Sequence, residues 1–416
     1  MKQLKTTNSL AIGILLATAL GQAQALDLLA DYQRAKTFDP TFQTATAELA
    51  ANLSAATQSY TAYAPVGSLN NSRIQTDSAN RTTLTISQPV LNYDALSTFR
   101  QAEPRKGFAE ATFVMKQQDL STRLIKAANA VILANENLKL NNAKIKALDQ
   151  QYMAAKRKLE LGQGTITDQR DIEVKVAQAK SLQIGFKNQL DTAAKQYAAI
   201  TGERPNVAEF VLPEKHGKVA LKQTEDYVDL VLQNSPGILA AKFSERVAEL
   251  DVEKATGSLL PTLSATYTDS KTTTTSNRYT GMTINVPLGA SAFFARQGVS
   301  ANYLKAKEIR RDTEEKARVE VERLRSQVDT AFQSLDIQLD AIKAAELSVE
   351  ANVKSYEGGV RSAVDVLNAT QTVFQVKSDY VTAVTTQTEN LLALMNLAST
   401  NPMDSLETAY KFLFAR

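Results

Sequence analysis

Few residues in this sequence of 416 could carry out catalysis or hold a metal ion. The sequence has no cysteine and one histidine, His216, which stands in the polar linker 212–218. A metal site needs several converging ligands, and this linker offers no second histidine or cysteine. We therefore expect no metal, no cofactor and no enzyme activity. His216 is interpreted as a satisfied or solvated loop residue.

The side chains best placed for polar chemistry stand in two glycine-containing segments, 159–168 and 355–369. Arg361 and Asp168 can form a charge-assisted pair, and the hydroxyl group of Tyr356 can share the same carboxylate. Asp365 lies near the start of a helix-compatible run. The helix dipole favours a carboxylate there by about 0.3–1 kcal/mol, so Asp365 can also be only a helix-start residue.

The two segments repeat one construction. Gly162 lies six residues before Asp168, and Gly359 lies six residues before Asp365. The second pair follows the first at a distance of 197 residues. The glycines interrupt long stretches of helical composition and predict sharp reversals from one helix to the next. Two such tips in register predict an internal duplication.

Upstream of both tips, apolar or aromatic residues recur every seven positions. They are Leu124, Val131, Leu138, Ile145, Tyr152 and Leu159 in the first copy and Val321, Val328, Leu335, Ile342, Val349 and Tyr356 in the second. A seven-residue repeat predicts helices that pair lengthwise in coiled-coil fashion. Residues 108–161 contain neither glycine nor proline, which permits a rod of roughly 80 Å.

Four polar, threonine-rich runs separate the helical stretches, at about 66–77, 82–91, 261–275 and 279–288. Leu263, Ala265 and Tyr267 alternate with polar residues, and this period of two predicts strands with one apolar and one polar face. Such strands can form a small sheet on a helical bundle, or they can line a transmembrane barrel. Four strands cannot close a barrel, so a membrane role would require several chains.

The N-terminal residues 1–25 are interpreted as a cleavable secretory signal. Lys2 and Lys5 precede the uncharged run 10–20, which ends in an A-x-A site at 23–25 and is short for the competing transmembrane helix. With 22% charged and 6% aromatic residues, the composition favours long helices over a compact enzyme core. The basic groups 156–158 and 310–311 are interpreted as solvated helix faces, so no nucleic-acid partner is expected.

The chain resembles the TolC family of outer-membrane channel-tunnel proteins. The resemblance is carried by the tandem repeats, by Asp39-Pro40, Ser235-Pro236 and Leu260-Pro261, and above all by Y-x-x-G-x-R-S-x-x-D-V-L-x-A from Tyr356 to Ala369. It implies a mostly α fold with a membrane β-barrel. Long coiled-coil hairpins in two tandem repeats would form a periplasmic tunnel, and four strands per chain would pool into a twelve-stranded barrel in a homotrimer.

The resemblance also implies a division of the chain. Residues 26–205 would be the first repeat with its tip at 162–168, and residues 227–401 the second repeat with its tip at 358–365. The linker 206–226 and the C-terminal segment 402–416 would form an equatorial belt. Four aromatic residues are expected where strands meet helices: Phe99, Tyr279, Phe293 and Phe294. They would form a girdle at the membrane interface or would only pack against neighbouring residues.

The function that the resemblance implies is a passive export duct in the outer membrane. It would dock with a periplasmic adaptor (membrane fusion protein) and an inner-membrane ABC or resistance-nodulation-division pump. The missing acylation cysteine favours type I protein secretion, with or without drug efflux. The alternatives are a periplasmic coiled-coil adaptor or scaffold without a barrel and, less favoured, an all-helical enzyme.

Site residues are carried over only where the motif matches. Tyr356 and Arg361 would hold the periplasmic mouth shut through Thr167 and Asp168, although the heptad pattern also explains Tyr356. Asp365 would form an acidic constriction. The second acidic position of the family is Asn368 here, so the ring should carry less charge. The glycines that would form the tip turns and the adaptor-docking surface are Gly162, Gly164, Gly358 and Gly359.

Overall fold

The computed structural model describes residues 27–74, 79–213 and 215–414, so the signal predicted at 1–25 lies outside the described residues. The described chain forms ten α-helices and four β-strands. The helices are α1 (Leu28–Phe38), α2 (Pro40–Tyr60), α3 (Tyr93–Arg100), α4 (Ala102–Glu160), α5 (Ile166–Thr201), α6 (Thr224–Asn234), α7 (Pro236–Gly257), α8 (Ser291–Glu357), α9 (Ala363–Ala398) and α10 (Pro402–Phe414). The strands are β1 (Val66–Ile74), β2 (Ala79–Leu91), β3 (Thr262–Lys271) and β4 (Ser276–Asn285).

The two halves of the chain have the same order of elements. Helices α1 and α6 are each 11 residues long, and α5 and α9 are each 36 residues long. Pro40 and Pro236 occupy the first turns of α2 and α7, where a missing N–H costs no hydrogen bond. The first half alone inserts the short helix α3 before its long helix. The duplication inferred from the tips thus extends over whole repeats.

Long antiparallel helices make up most of the molecule. Helix α4 has 59 residues and α8 has 67, which corresponds to about 90 and 100 Å. Near the tips α4 packs against α5 and α9, and α9 packs against α8, which gives the lateral order α5, α4, α9, α8. Nearer the sheet the order is α2, α4, α7, α8. The heptad positions Leu124, Val131, Val321 and Val328 are fully buried between these helices.

The four strands form one antiparallel sheet in the order β1-β2-β3-β4. All four overlap the runs predicted from the sequence; β4 ends at Asn285 rather than near 288, and residues 75–77 of the first run lie outside the described residues. The helices join the sheet at one end. The turn 272–275 and the paired strand ends Ile74 and Ala79 lie at the opposite end, here called the hairpin end.

Strand register separates the sheet into two chemically different faces. The apolar face carries Leu69, Leu84, Ile86, Leu263, Ala265, Tyr267, Met282 and Ile284. The other, here called the hydroxyl face, carries Ser68, Asn70, Thr83, Thr85, Ser87, Ser264, Thr266, Thr268, Ser270 and Thr283. A contact of 3.3 Å between the hydroxyl oxygens of Thr83 and Ser270 joins neighbouring strands on the hydroxyl face.

The aromatic residues expected at the junction of strands and helices do not form one cluster. Phe293 and Phe294 are exposed at the start of α8, where a lipid girdle could lie, whereas Phe99 packs edge-on against Tyr60 with ring centroids 5.4 Å apart. Tyr279 lies near the hairpin end of β4, because the strand runs away from its turn toward the helices. The expectation for Tyr279 was therefore wrong.

The segment between the repeats is held against the C-terminal helix. The backbone N–H of Gly217 donates to the carbonyl oxygen of Phe412 at 2.8 Å. The side-chain amide of Asn135 donates to the carbonyl oxygen of Phe210 at 3.0 Å, which fixes the start of the segment on α4. The segment between the repeats and the helix α10 thus lie together, part-way along the long helices. Within the described part of the chain, none of the helices is long and apolar enough to span a bilayer.

Candidate functional site at the hairpin tips

The two tips are built from the same local structure. Gly162 and Gly359 adopt positive φ angles of 70° and 75°, which L residues with side chains rarely adopt, so each ends its long helix in a tight turn. Thr165 and Ser362 then cap the returning helices by accepting hydrogen bonds from the backbone N–H groups of Asp168 and Asp365, at 3.1 and 3.2 Å. A carboxylate therefore occupies the third position of both returning helices.

Asp365 has an additional capping role. Its carboxylate accepts hydrogen bonds from the backbone N–H and the hydroxyl group of Ser362, at 3.1 and 2.9 Å, which completes a capping box. These hydrogen bonds, with a smaller contribution from Arg361, lower the pKa of Asp365. The carboxylate is thus ionised at neutral pH. The helix-start interpretation of Asp365 fits this geometry.

Arg361 and the hydroxyl group of Tyr356 do not contact the first tip within one chain. Arg361 lies in the tip turn just before α9, its guanidinium is 3.8 Å from the carboxylate of Asp365 at the start of that helix, and its side chain is 58% exposed. Among the described residues, no hydrogen bond or ion pair joins Arg361 or the Tyr356 hydroxyl to Thr167 or Asp168. Asp168 is nevertheless close enough to add to the effect of burial in raising the pKa of Tyr356. The expected closing contacts are therefore not formed within the described chain.

A different residue joins the two tips. The ammonium group of Lys158, near the end of α4, donates a hydrogen bond of 2.8 Å to the backbone carbonyl of Tyr356, near the end of α8. The same nitrogen lies 3.8 Å from the centroid of the Tyr356 ring, within the range of a cation–π contact. The sequence analysis had interpreted Lys158 as part of a solvated basic face, and this was wrong. Lys158 and Tyr356 are called the tip latch below.

The tip latch closes one end of a groove of about 560 Å³ between α4, α8 and α9. Its walls are mainly apolar, with Ala147, Val353 and Phe374 among the lining residues. An ion pair of 2.5 Å between Lys377 and Glu346 joins α9 to α8 at the edge of this groove. The two hairpins of one chain are thus joined at the tip by polar contacts and are separated behind it by a cavity.

Arg310, from the second basic group, also departs from the solvated interpretation. Its guanidinium contacts Glu245 of α7 at 2.5 Å and Glu314 of α8 at 2.8 Å, and these hydrogen bonds raise its pKa. Arg311 beside it is exposed, as expected. One residue of the pair therefore ties two helices together.

His216 belongs to the middle of the molecule and not to the tips. Its side chain is almost fully buried, with Nδ1 3.3 Å from the hydroxyl oxygen of Tyr380 and Nε2 3.8 Å from a carboxylate oxygen of Asp336. Burial lowers the pKa of His216, and Asp336 opposes this effect only in part. His216 is therefore a satisfied packing residue. Within the described residues, no group of three or more histidine, aspartate or glutamate side chains could hold a metal ion.

Comparison with known proteins connects this geometry to one family. The sequence model of the family described as outer membrane efflux protein matches residues 31–203 and 227–400, which correspond to the two repeats. The alkaline protease secretion protein AprF of Pseudomonas aeruginosa is 24% identical over 400 residues, covering 87% of this chain and 83% of AprF. The outer membrane protein TolC of Vibrio cholerae is 24% identical over 396 residues, covering 89% of this chain and 90% of TolC. These relatives are named as secretion and outer membrane proteins and not as enzymes.

The fold is likewise similar to that of solved outer-membrane proteins. The crystal structure of the outer membrane protein VceC from Vibrio cholerae superposes with a TM-score of 0.75 at 17% sequence identity. The match covers 89% of this chain and 96% of VceC. Both repeats, the sheet and the long hairpins therefore have a counterpart in one known fold.

The tip latch generates the first testable prediction. Replacing Lys158 by methionine keeps the length of the side chain but removes the hydrogen bond and the cation–π contact, at a cost of about 1–3 kcal/mol. In Lys158→Met, we expect a longer mean distance and a broader distance distribution between spin labels placed at Glu160→Cys and Glu357→Cys. Labelled chains are diluted into unlabelled chains, so that only pairs within one chain are counted. The matched control is Lys156→Met on the same turn, where the side chain is exposed. Identical distance distributions in all three proteins would show that the latch does not hold the tips.

Proposed function

The chain belongs to the outer membrane efflux protein family, and from that premise we propose that three copies form a passive export duct. In this proposal, twelve strands close a barrel in the outer membrane and the helices form a tunnel through the periplasm. The observation that carries the proposal is the sheet. Its edge strands β1 and β4 have no partner on their outer sides among the described strands. Unpaired edges are not tolerated in lipid, so strands of other copies must cover them.

The edges of the helical layer support the same assembly. Helices α5 and α8 lie at opposite sides of the chain and expose large apolar residues, which include Val174 and Ile184 on α5 and Ile337 and Leu347 on α8. Val174 and Leu347 each lie 12 residues from the tip glycine of their hairpin. Ile184 and Ile337 each lie 22 residues from it. Exposed apolar side chains thus occur at matching heights on the two edges, as a closed ring of identical chains requires.

The two faces of the sheet fit a barrel of this kind. The apolar face would meet lipid and the hydroxyl face would line the water-filled interior. Arg81, opposite Ser72, is the one charged residue on the hydroxyl face among the described strand residues. A wall of neutral hydroxyl groups imposes little charge selection, which suits a duct that passes cargo without acting on it.

The tips would be the docking surface for a periplasmic adaptor, which in turn would bind an inner-membrane ABC or resistance-nodulation-division pump. Leu161 and Val360 support this proposal because both are apolar and largely exposed at the turns. The similarity to AprF supports type I protein secretion as the main use, with drug efflux as a second use. Family membership favours this duct over the alternative, a periplasmic coiled-coil scaffold without a barrel.

The second prediction concerns assembly. Since the chain has no cysteine, pairs can be introduced at the matched heights, as Val174→Cys with Leu347→Cys and Ile184→Cys with Ile337→Cys. Oxidation should yield covalent trimers, because each pair would bring α5 of one copy against α8 of the next. The mismatched pair Val174→Cys with Ile337→Cys differs in height by about 15 Å and should not cross-link.

Conductance in planar bilayers should appear only with trimers. Conducting monomers would contradict the proposed architecture.

The periplasmic mouth would be closed by contacts between neighbouring copies. We propose that Arg361 and the Tyr356 hydroxyl hydrogen-bond to Thr167 and Asp168 of the next copy. The exposure of Arg361 supports this, since its guanidinium has unused donors beyond the contact of 3.8 Å with Asp365.

The third prediction tests this closure. In the double variant Arg361→Ser with Tyr356→Phe, three symmetric sets of contacts disappear, each charged hydrogen bond being worth about 1–3 kcal/mol. The open state should gain population, which would be measured as a larger resting conductance. Lys354→Ser is the matched control, because Lys354 pairs with Glu350 on its own helix. Wild-type conductance in the double variant would mean that other contacts close the mouth.

The fourth prediction concerns Asp365. Three ionised carboxylates around one axis would attract cations to a common point, so a multivalent cation added from the periplasmic side should block the current. Asp365→Asn should abolish the block while trimers stay intact. Asn368→Asp should strengthen the block, because it would add a second acidic ring. If cation block is unchanged in Asp365→Asn, the carboxylate serves only the capping box.

A further inference from the structure

Charge on the sheet is confined to its hairpin end. The four strands contain five charged residues: Arg73, Arg81, Asp269, Lys271 and Arg278. Each lies within three residues of the end of its strand that borders a hairpin turn. Four of the five are cations. The helix end of the sheet carries no charge on its described strand residues.

Three of these cations lie on the apolar face. In the strand register, Arg73 follows Leu69 and Asn71, Lys271 follows Tyr267 and Asp269, and Arg278 lies opposite Asp269. We call Arg73, Lys271 and Arg278 the cationic rim. Arg81 lies at the same height but opposite Ser72, on the hydroxyl face.

The described residues compensate little of the positive charge of the cationic rim. Arg278 forms an ion pair of 3.0 Å with Asp269, whose other carboxylate oxygen lacks a hydrogen-bond partner. Arg73 and Lys271 have no ion-pair partner among the described residues, and both are exposed. By strand geometry Lys271 lies about 8 Å from Arg278 and about 12 Å from Arg73. Two long cationic side chains can therefore reach one headgroup together.

We propose that the cationic rim binds the phosphate groups of anionic lipid in the outer leaflet. This inference rests on the proposed function, because the hairpin end faces outward only if the helices lie in the periplasm. The apolar face below the rim then contacts acyl chains, and the rim reaches the headgroup level directly above them. Clustered lysine and arginine beside a membrane surface attract anionic headgroups, and guanidinium groups bind phosphate oxygens in bidentate fashion. Three copies would place nine cations around the outside of the barrel.

The test uses purified trimers in phosphatidylcholine vesicles that contain bisphosphorylated lipid A, or the same lipid without its phosphates. The variant Arg73→Gln with Lys271→Gln leaves the ion pair of Arg278 and Asp269 intact. Bound lipid is measured by native mass spectrometry. We expect the variant to lose affinity by roughly 25-fold, at about fivefold per cation. Arg81→Gln, which removes one charge at the same height on the other face, should bind as the wild type does.

The charge-preserving variant Arg73→Lys with Lys271→Arg should retain binding and serves as the control for folding. The inference is overturned if binding does not depend on the phosphates, if the glutamine variant binds like the wild type, or if Arg81→Gln loses as much lipid. These outcomes are separable from failure of the proposed function. If the wild type conducts as a cross-linked trimer but shows no phosphate dependence, only the lipid inference fails. If the wild type forms no conducting trimer, the duct fails.

Discussion

The open edges of the four-stranded sheet are the constraint on which the rest of the structure depends. A strand edge presents unpaired N–H and C=O groups, and a membrane offers no water to satisfy them. A single chain with strands β1 to β4 leaves two such edges, so its sheet is incomplete by itself. The long helices join this sheet at one end. In the proposed assembly, closing the sheet would also arrange the helices around the same axis, and the exposed apolar residues of α5 and α8 would become contacts between copies.

Duplication explains how one chain could supply both sides of the proposed interface between copies. The repeats share a helix order and a tip construction, yet α4 and α9 are inner neighbours while α5 and α8 lie outermost. Burial follows this division. Leu124 and Val131 of α4 are completely enclosed. Val174 of α5 and Leu347 of α8 are exposed, although both outer helices also bury residues on their inner faces. In the proposed ring, the exposed residues would contact a neighbour of the same sequence.

Local structure could be predicted from the sequence, but lateral contacts could not. The glycines at 162 and 359 and the carboxylates at 168 and 365 identified both tips, because turn and capping chemistry depends on adjacent residues. The heptads likewise predicted the packed faces of α4 and α8: six of the twelve heptad residues are buried and the other six are half-buried. The contact between Lys158 and Tyr356 could not be predicted from the sequence. A heptad pattern assigns a residue to one face of its own helix but does not determine which other helix packs against that face. Tyr279 was misplaced for a related reason: alternation gives the face of a strand, but the direction of the strand decides which end is near the helices.

On the sheet, most charged residues lie away from the face that would pass cargo and on the face that would contact the membrane. The described strands place hydroxyl and amide groups on one face, with Arg81 as the one charge. A charged wall would bind cargo of opposite sign and slow its release, whereas neutral hydroxyl groups exchange hydrogen bonds with water at little net cost. The charged residues of the strands instead lie at the hairpin end of the sheet, mostly on its apolar face, where they can contact lipid. A passive duct needs this separation, because it has no chemical step with which to release bound cargo.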